Sequence, residues 1–104
     1  MFLSSSTIET EAASKYLQQL CKHFAHKAPA EFTPERGHIA FPFGTCRLAA
    51  DSNRLAIECE APTEFELLRL QVVIDKHLVR FAWREKLEAL DWRRRDAAHA
   101  TGIA

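Results

Sequence analysis

The chain has 104 residues, 47% of them hydrophobic, and its 14 basic side chains are balanced by 14 acidic ones, for a formal net charge of zero. That length supports one core rather than two, and the balance argues against a globally basic nucleic-acid binder or a protein held to membranes by charge. Near-zero net charge also offers little electrostatic protection against self-association, which points toward oligomers.

The opening MFLSSSTIET has no basic n-region and no long apolar run, so it does not read as a secretory signal, and no apolar stretch approaches a membrane span. Three cysteines, an odd number at spacings that suggest no extracellular disulfide framework, fit a cytoplasmic protein with reduced thiols.

Residues 2–9, FLSSSTIE, alternate weakly and predict an edge strand or a frayed terminus. Thr10 suits a helix N-cap with Glu11 in the first turn. From there Ala13, Leu17, Leu20, Cys21 and Phe24 recur at helical spacing toward Pro29. Short strands follow. Glu31 and Phe32 pair briefly before a turn at residues 33–37. Residues 38–43 alternate, with Ile39, Phe41 and Phe43 on one side, and Gly44-Thr45 turns the chain. The clearest hairpin joins residues 45–50 to residues 55–60 through Asp51-Ser52-Asn53-Arg54.

Thr63 and Glu66 have capping-box spacing and open a second helix, whose periodicity runs to about Glu85. KLEALDWRRR, residues 86–95, either extends that helix or returns as a last strand, and strand is favoured. Residues 96–104 are small and polar and are expected to be a disordered tail behind a single domain of residues 1–95. The order β-α-β-β-β-β-α predicts an α+β fold, a two-layer sandwich with both helices on one face of an antiparallel sheet. It resembles the TATA-binding-protein-like arrangement also seen in the C-terminal domain of phosphohexomutases, a likeness of architecture that carries no function.

CKHFAHK, residues 21–27, raises the question of a metal site. At about 100° per residue, Cys21 and His23 point to nearly opposite sides of a regular helix, so Cys-x-His is not a ligand pair. Cys21 belongs to the apolar stripe and is expected to face the core. His23 and His26 lie on the other side, three residues apart, where two rings can approach one ion or anion. Zinc takes three or four protein ligands, and nothing in the spacing relates His77 to the pair. His23, His26 and Lys27 therefore read either as a solvated basic edge or as a patch for an anionic ligand or partner.

A two-residue loop at Ser52-Asn53 sets Ala50 against Leu55, Leu48 against Ile57 and Cys46 against Cys59, all on the apolar side. Cys21 on the first helix can lie over that pair. Buried thiols are commonly plain small hydrophobes, and the alternative is a redox or thiolate site formed by Cys21, Cys46 and Cys59.

In the second helix one stripe holds Leu67, Leu70, Ile74, Leu78 and Phe81, and another holds Phe65, Leu68, Val72, Val79 and Trp83. An arc this wide either touches both sheet and first helix or leaves Phe65, Val72 and Trp83 for a partner chain, most simply a second copy. With only Gly37, Gly44 and Gly102 there is no glycine-rich phosphate cradle, nor are there CxxC, HExxH or Gly-x-Ser-x-Gly spacings. Glu58 and Glu60 on the open face of the hairpin read as solvated strand surface and oppose nucleic acid lying across the sheet.

Three stretches, YLQQLCKHFAHK (16–27), GHIAFPFGTCRL (37–48) and KHLVRFAWREKLEALDWRR (76–94), taken jointly resemble the bacterial DUF2218 family over nearly the whole chain. The resemblance implies a small stand-alone α/β protein without established activity, associated with iron and siderophore utilisation and sometimes fused to siderophore-interacting reductase domains. No such flavin domain lies in these residues. It implies no catalytic residues, and its recurrent segments fall on His23, His26, Lys27, Phe41, Pro42, Phe43, Gly44, His77, Arg80 and Phe81.

The expectation is a non-enzymatic cytoplasmic accessory or binding protein without cofactor or metal, linked to siderophore-iron utilisation. It is expected to form a homodimer and to meet an anionic small ligand or siderophore-related protein rather than nucleic acid or membrane. The alternative is a small thiol- or histidine-dependent enzyme or redox protein, which requires the three cysteines to converge and one to be a reactive thiolate.

Overall fold

The computed structural model describes residues 1–82, 85 and 90–95. Its elements run β1 (Phe2–Glu9), α1 (Ala13–Phe24), β2 (Ala30–Phe32), β3 (Arg36–Phe41), β4 (Gly44–Ala50), β5 (Arg54–Ala61), α2 (Glu64–Phe81) and β6 (Arg93–Arg94). The six strands form one antiparallel sheet in the order β2-β3-β4-β5-β1-β6. Both helices pack on one face, which gives the expected two-layer α+β sandwich. The last strand follows α2 and adds to the predicted order, while residues 96–104 lie outside the described residues.

β1 is neither an edge nor a frayed end. All eight of its residues pair with β5, from Phe2 opposite Ala61 to Glu9 opposite Arg54, and Ser4 and Ser5 pair with β6 on the other side. Its weak alternation concealed this because Ser4 and Ser6 occupy inward positions, where both are buried.

Thr10 does not occupy the N-cap of α1. That position falls to Ala12, which makes no side-chain cap bond. The Thr10 hydroxyl instead accepts from the Ala12 N–H at 3.0 Å and donates to the Glu85 carboxylate at 2.9 Å, where the Tyr16 hydroxyl also donates at 3.1 Å. α1 ends at Phe24, whose carbonyl accepts from the Lys27 and Ala28 N–H groups.

Thr63 does cap α2. Its hydroxyl oxygen accepts from the Glu66 N–H at 3.1 Å and its proton goes to the Glu66 carboxylate. The helix stops at Phe81, short of Glu85, where a turn bonds the Glu85 N–H to the Ala82 carbonyl and Glu85 reaches Thr10 and Tyr16.

Cross-strand register follows the hydrophobic pattern, because a slip of one residue would turn each buried side chain to solvent. Phe41 pairs with Gly44, so the β3–β4 turn is Pro42-Phe43 and Gly44 lies inside β4 rather than in the turn. The missing side chain is what β4 needs there, since a Cβ at Gly44 would stand 2.7 Å from the Glu60 carbonyl and 3.1 Å from Leu70. The core between sheet and helices is built from fully buried Leu17, Leu20, Ile39, Leu55, Ile57 and Leu67, together with Leu70, Ile74 and Leu78.

Candidate functional site

Cys21 and His23 leave α1 in opposite senses: the thiol is fully buried and the imidazole is exposed. α1 approaches the sheet closely at Gly37, where a Cβ would come within 2.8 Å of the Cys21 sulfur and 3.2 Å of Leu17. Lys22 and His23 sit in the last turn of α1, where cations suit the carbonyl end of the helix dipole.

The His23 ring does not stand alone at the surface. Its centre lies 4.7 Å from that of His77 on α2, 5.0 Å from Phe24 and 5.5 Å from Phe81. The His77 ring also meets Phe24 edge-on at 4.7 Å. From Phe24 the aromatic run continues to Phe41 at 4.9 Å and Phe43 at 5.4 Å, and the Arg69 guanidinium lies 4.2 Å above the Phe43 ring. His77 is therefore the site residue that spacing failed to connect. α1 and α2 are far apart in sequence and adjacent in space, and only the family resemblance had singled it out.

The two imidazoles differ in kind. His77 Nδ1 is 2.7 Å from the Val73 carbonyl one turn earlier, so that nitrogen donates to the backbone and Nε2 is the one left to meet other partners. His23 has its pKa pushed below the ordinary 6.5 by burial of the ring, and then by the neighbouring His77, Lys27, His26 and Arg80. Every side chain among the described residues that acts on it electrostatically is basic. Among the described residues none of Lys27, His26 and Arg80 forms an ion pair. The arrangement is an exposed, basic edge with aromatic walls and, among the described residues, no compensating carboxylate.

The cysteines occupy a different place. Cys46 and Cys59 face each other across β4 and β5, all three thiols are free, and each is fully buried. The hydrogen bond that the Cys46 thiol makes to the Cys59 side chain, then burial, raises the Cys46 thiol well above its ordinary range, with the nearby sulfurs of Cys59 and Cys21 adding to the effect. Burial also raises Cys21, opposed by a backbone hydrogen bond at His38. These environments disfavour the thiolate, the form that acts as nucleophile and soft ligand. Among the described residues, no group of three or more His, Cys, Asp or Glu side chains is arranged to hold a metal ion.

On α2, Phe65, Leu68 and Val72 project outward, 75%, 48% and 63% exposed, while the stripe through Leu67, Leu70, Ile74 and Leu78 fills the core. Trp83, expected beside them, lies outside the described residues. No helix among the described residues is long and apolar enough to cross a membrane.

A small α+β sandwich with an open six-stranded sheet and a paired-histidine edge is the class of protein these features define. The chain belongs to the bacterial family described as "Uncharacterized protein conserved in bacteria (DUF2218)", whose model matches residues 5–93. The chain is also similar to the solved NMR structure of PA4090 from Pseudomonas aeruginosa, with 38% identity and a TM-score of 0.74 over 93% of this chain and 98% of that one. No curated protein matches it.

Proposed function

We propose that the protein is a non-enzymatic binding module that receives an anionic ligand at the edge formed by His23, His26 and Lys27 of the α1 end together with His77 and Arg80 of α2. The observation that carries this reading is the one-signed surroundings of His23: four basic side chains, His77, Lys27, His26 and Arg80, act on it, and among the described residues no carboxylate does. An arriving anion supplies the missing counter-charge, and Phe24 and Phe81 offer apolar contact beside it. Siderophore-iron handling in the cytoplasm is the setting that the family resemblance suggests, with ferric siderophores among the ligands to try.

Backbone chemical shifts followed during titration with ferric siderophores, free metal ions and phosphorylated small molecules test the reading. Shifts of residues 23–27 and 77–81 are expected with the anionic ligands. Shifts confined to other surfaces, or appearing only with free metal ions, would sink it.

The enzymatic alternative is less well supported, because all three thiols are fully buried and the surroundings of Cys21 and Cys46 disfavour the thiolate. A homodimer through α2 is a second reading, favoured by the contiguous outward Phe65, Leu68 and Val72 at i, i+3 and i+7.

A further inference from the structure

The face of the sheet that turns away from the helices carries a feature separate from the histidine edge. Outward positions on strands are ordinarily filled by β-branched or long polar side chains, yet Ala49 and Ala56 face each other there across β4 and β5. The row through them runs from Thr7 on β1 to Arg36 on β3. In the adjoining row Ser5 pairs with Glu58, and Glu58 with Arg47. Two small side chains between longer ones leave a hollow of about 340 Å³, with Ala49 and Ala56 in its lining beside Arg36, Arg47, Glu58 and Arg95. A second hollow of about 510 Å³ shares Arg36, Ala49 and Ala56 and also meets Glu35, Asp51 and Arg54.

The charges of the first hollow do not cancel. Arg47 is committed to two carboxylates, Glu58 at 3.5 Å and Glu60 at 3.2 Å. At the neighbouring positions Arg54 is paired with Glu9, Arg93 with Asp91, and the Asp51 carboxylate accepts from the Asn53 N–H. Arg36 and Arg95 have no carboxylate within ion-pair distance among the described residues. They approach the hollow from opposite sides. Arg36 stands on β3 and Arg95 just beyond β6, four strand spacings away, roughly 19 Å between backbones. A guanidinium is a planar fork suited to carboxylate or phosphate oxygens, and two of them flanking an alanine floor define a two-ended receptor.

We propose that the open sheet face is a second binding site, one that takes a small anion bearing at least two oxyanion groups, carboxylate or phosphate. Two of those groups meet Arg36 and Arg95, and the link between them lies over Ala49 and Ala56. The Glu58 and Glu60 carboxylates, already held by Arg47, keep a long polyanion such as nucleic acid from continuing along the strands.

Citrate and pyrophosphate, titrated separately into the whole protein and followed by backbone chemical shifts, distinguish a carboxylate ligand from a phosphate one. The expected result is a saturable shift of residues 5–7, 36, 49, 56 and 95 with at least one of them. Arg36→Gln and Arg95→Gln should each weaken that binding by roughly tenfold. Ala56→Thr, a substitution that suits a strand, should fill the hollow and abolish binding while the thermal midpoint holds. His23→Gln should leave the affinity unchanged, which separates this site from the histidine edge. No saturable shift with either probe at millimolar concentration, shifts confined to residues 23–27 and 77–81, or undiminished binding by both Arg36→Gln and Ala56→Thr would overturn the proposal.

Discussion

The His23 and His77 rings stand 4.7 Å apart across the α1–α2 contact, and the Val73 carbonyl 2.7 Å from His77 Nδ1 leaves Nε2 as the ring nitrogen open to other partners. Burial first, and then the positive neighbours led by His77, lowers the His23 pKa from its ordinary 6.5. Above that pH the ring is neutral in both the folded and the unfolded chain. Below it the unfolded chain binds the proton more readily, so folding stability declines as pH falls through the depressed folded value. Urea midpoints measured across mildly acidic pH are expected to fall for the wild type and to fall less for His23→Gln. In His77→Gln, NMR titration should find the His23 midpoint moved back up.

An anion bound at that edge reverses the balance, because a negative charge favours the imidazolium. Binding there should take up protons and tighten as pH drops. Calorimetry in two buffers of different ionisation enthalpy measures the uptake directly, and an affinity independent of pH would remove His23 from contact with the ligand.

Gly37 and Cys21 are in contact across the α1–sheet interface, with only 2.8 Å available to a side-chain carbon. Gly37→Ala is therefore expected to destabilise the fold by about 1–3 kcal/mol through overpacking. Cys21→Ala in the same chain should recover part of that loss, because the two positions share one space. Urea unfolding of the two single variants and the double variant measures the coupling.

The thiols of Cys21, Cys46 and Cys59 are sealed from solvent, and burial raises the pKa of Cys21 and contributes to raising that of Cys46. A disulfide reagent at neutral pH is expected to modify none of them in the native protein and all three in denaturant. Cys46→Ser should cost about 1–3 kcal/mol, since it buries a stronger hydrogen-bonding group beside Cys59 and Leu48. Rapid native labelling of any one thiol would revive the redox alternative.

The exposed run Phe65, Leu68, Val72 makes a separate prediction about assembly. If this face joins two copies, sedimentation should show a concentration-dependent dimer that Phe65→Asp or Val72→Asp abolishes, with helicity unchanged. A wild type that stays monomeric at high concentration would leave the stripe as bare surface.

Much of the architecture was legible because local signals agreed. The two-residue Ser52-Asn53 loop fixed the Cys46–Cys59 register, and Thr63 announced α2 through its cap. β1 was misread as peripheral because serines stand where inward aliphatics would have declared it, and Gly44 was misread as a turn because glycine marks close approach as readily as chain reversal. The histidine edge was half visible. His23 follows from helix geometry, His26 lies in the turn just past the end of α1, and His77 joins His23 only through packing between helices that periodicity cannot orient. The alanine hollow went unnoticed because alanine in a strand pattern looks neutral until its neighbours' lengths are known.

The sheet is closed off at both sides by very short strands, three residues in β2 and two in β6. They pair with three of the six residues of β3 and two of the eight of β1, so that the outermost strands offer other chains only a short template to add on to. A molecule with no net charge to keep its copies apart thus carries its safeguard against fibre-like growth in the geometry of its margins. Lengthening either margin with a few β-formers would be the quickest way to make it polymerise.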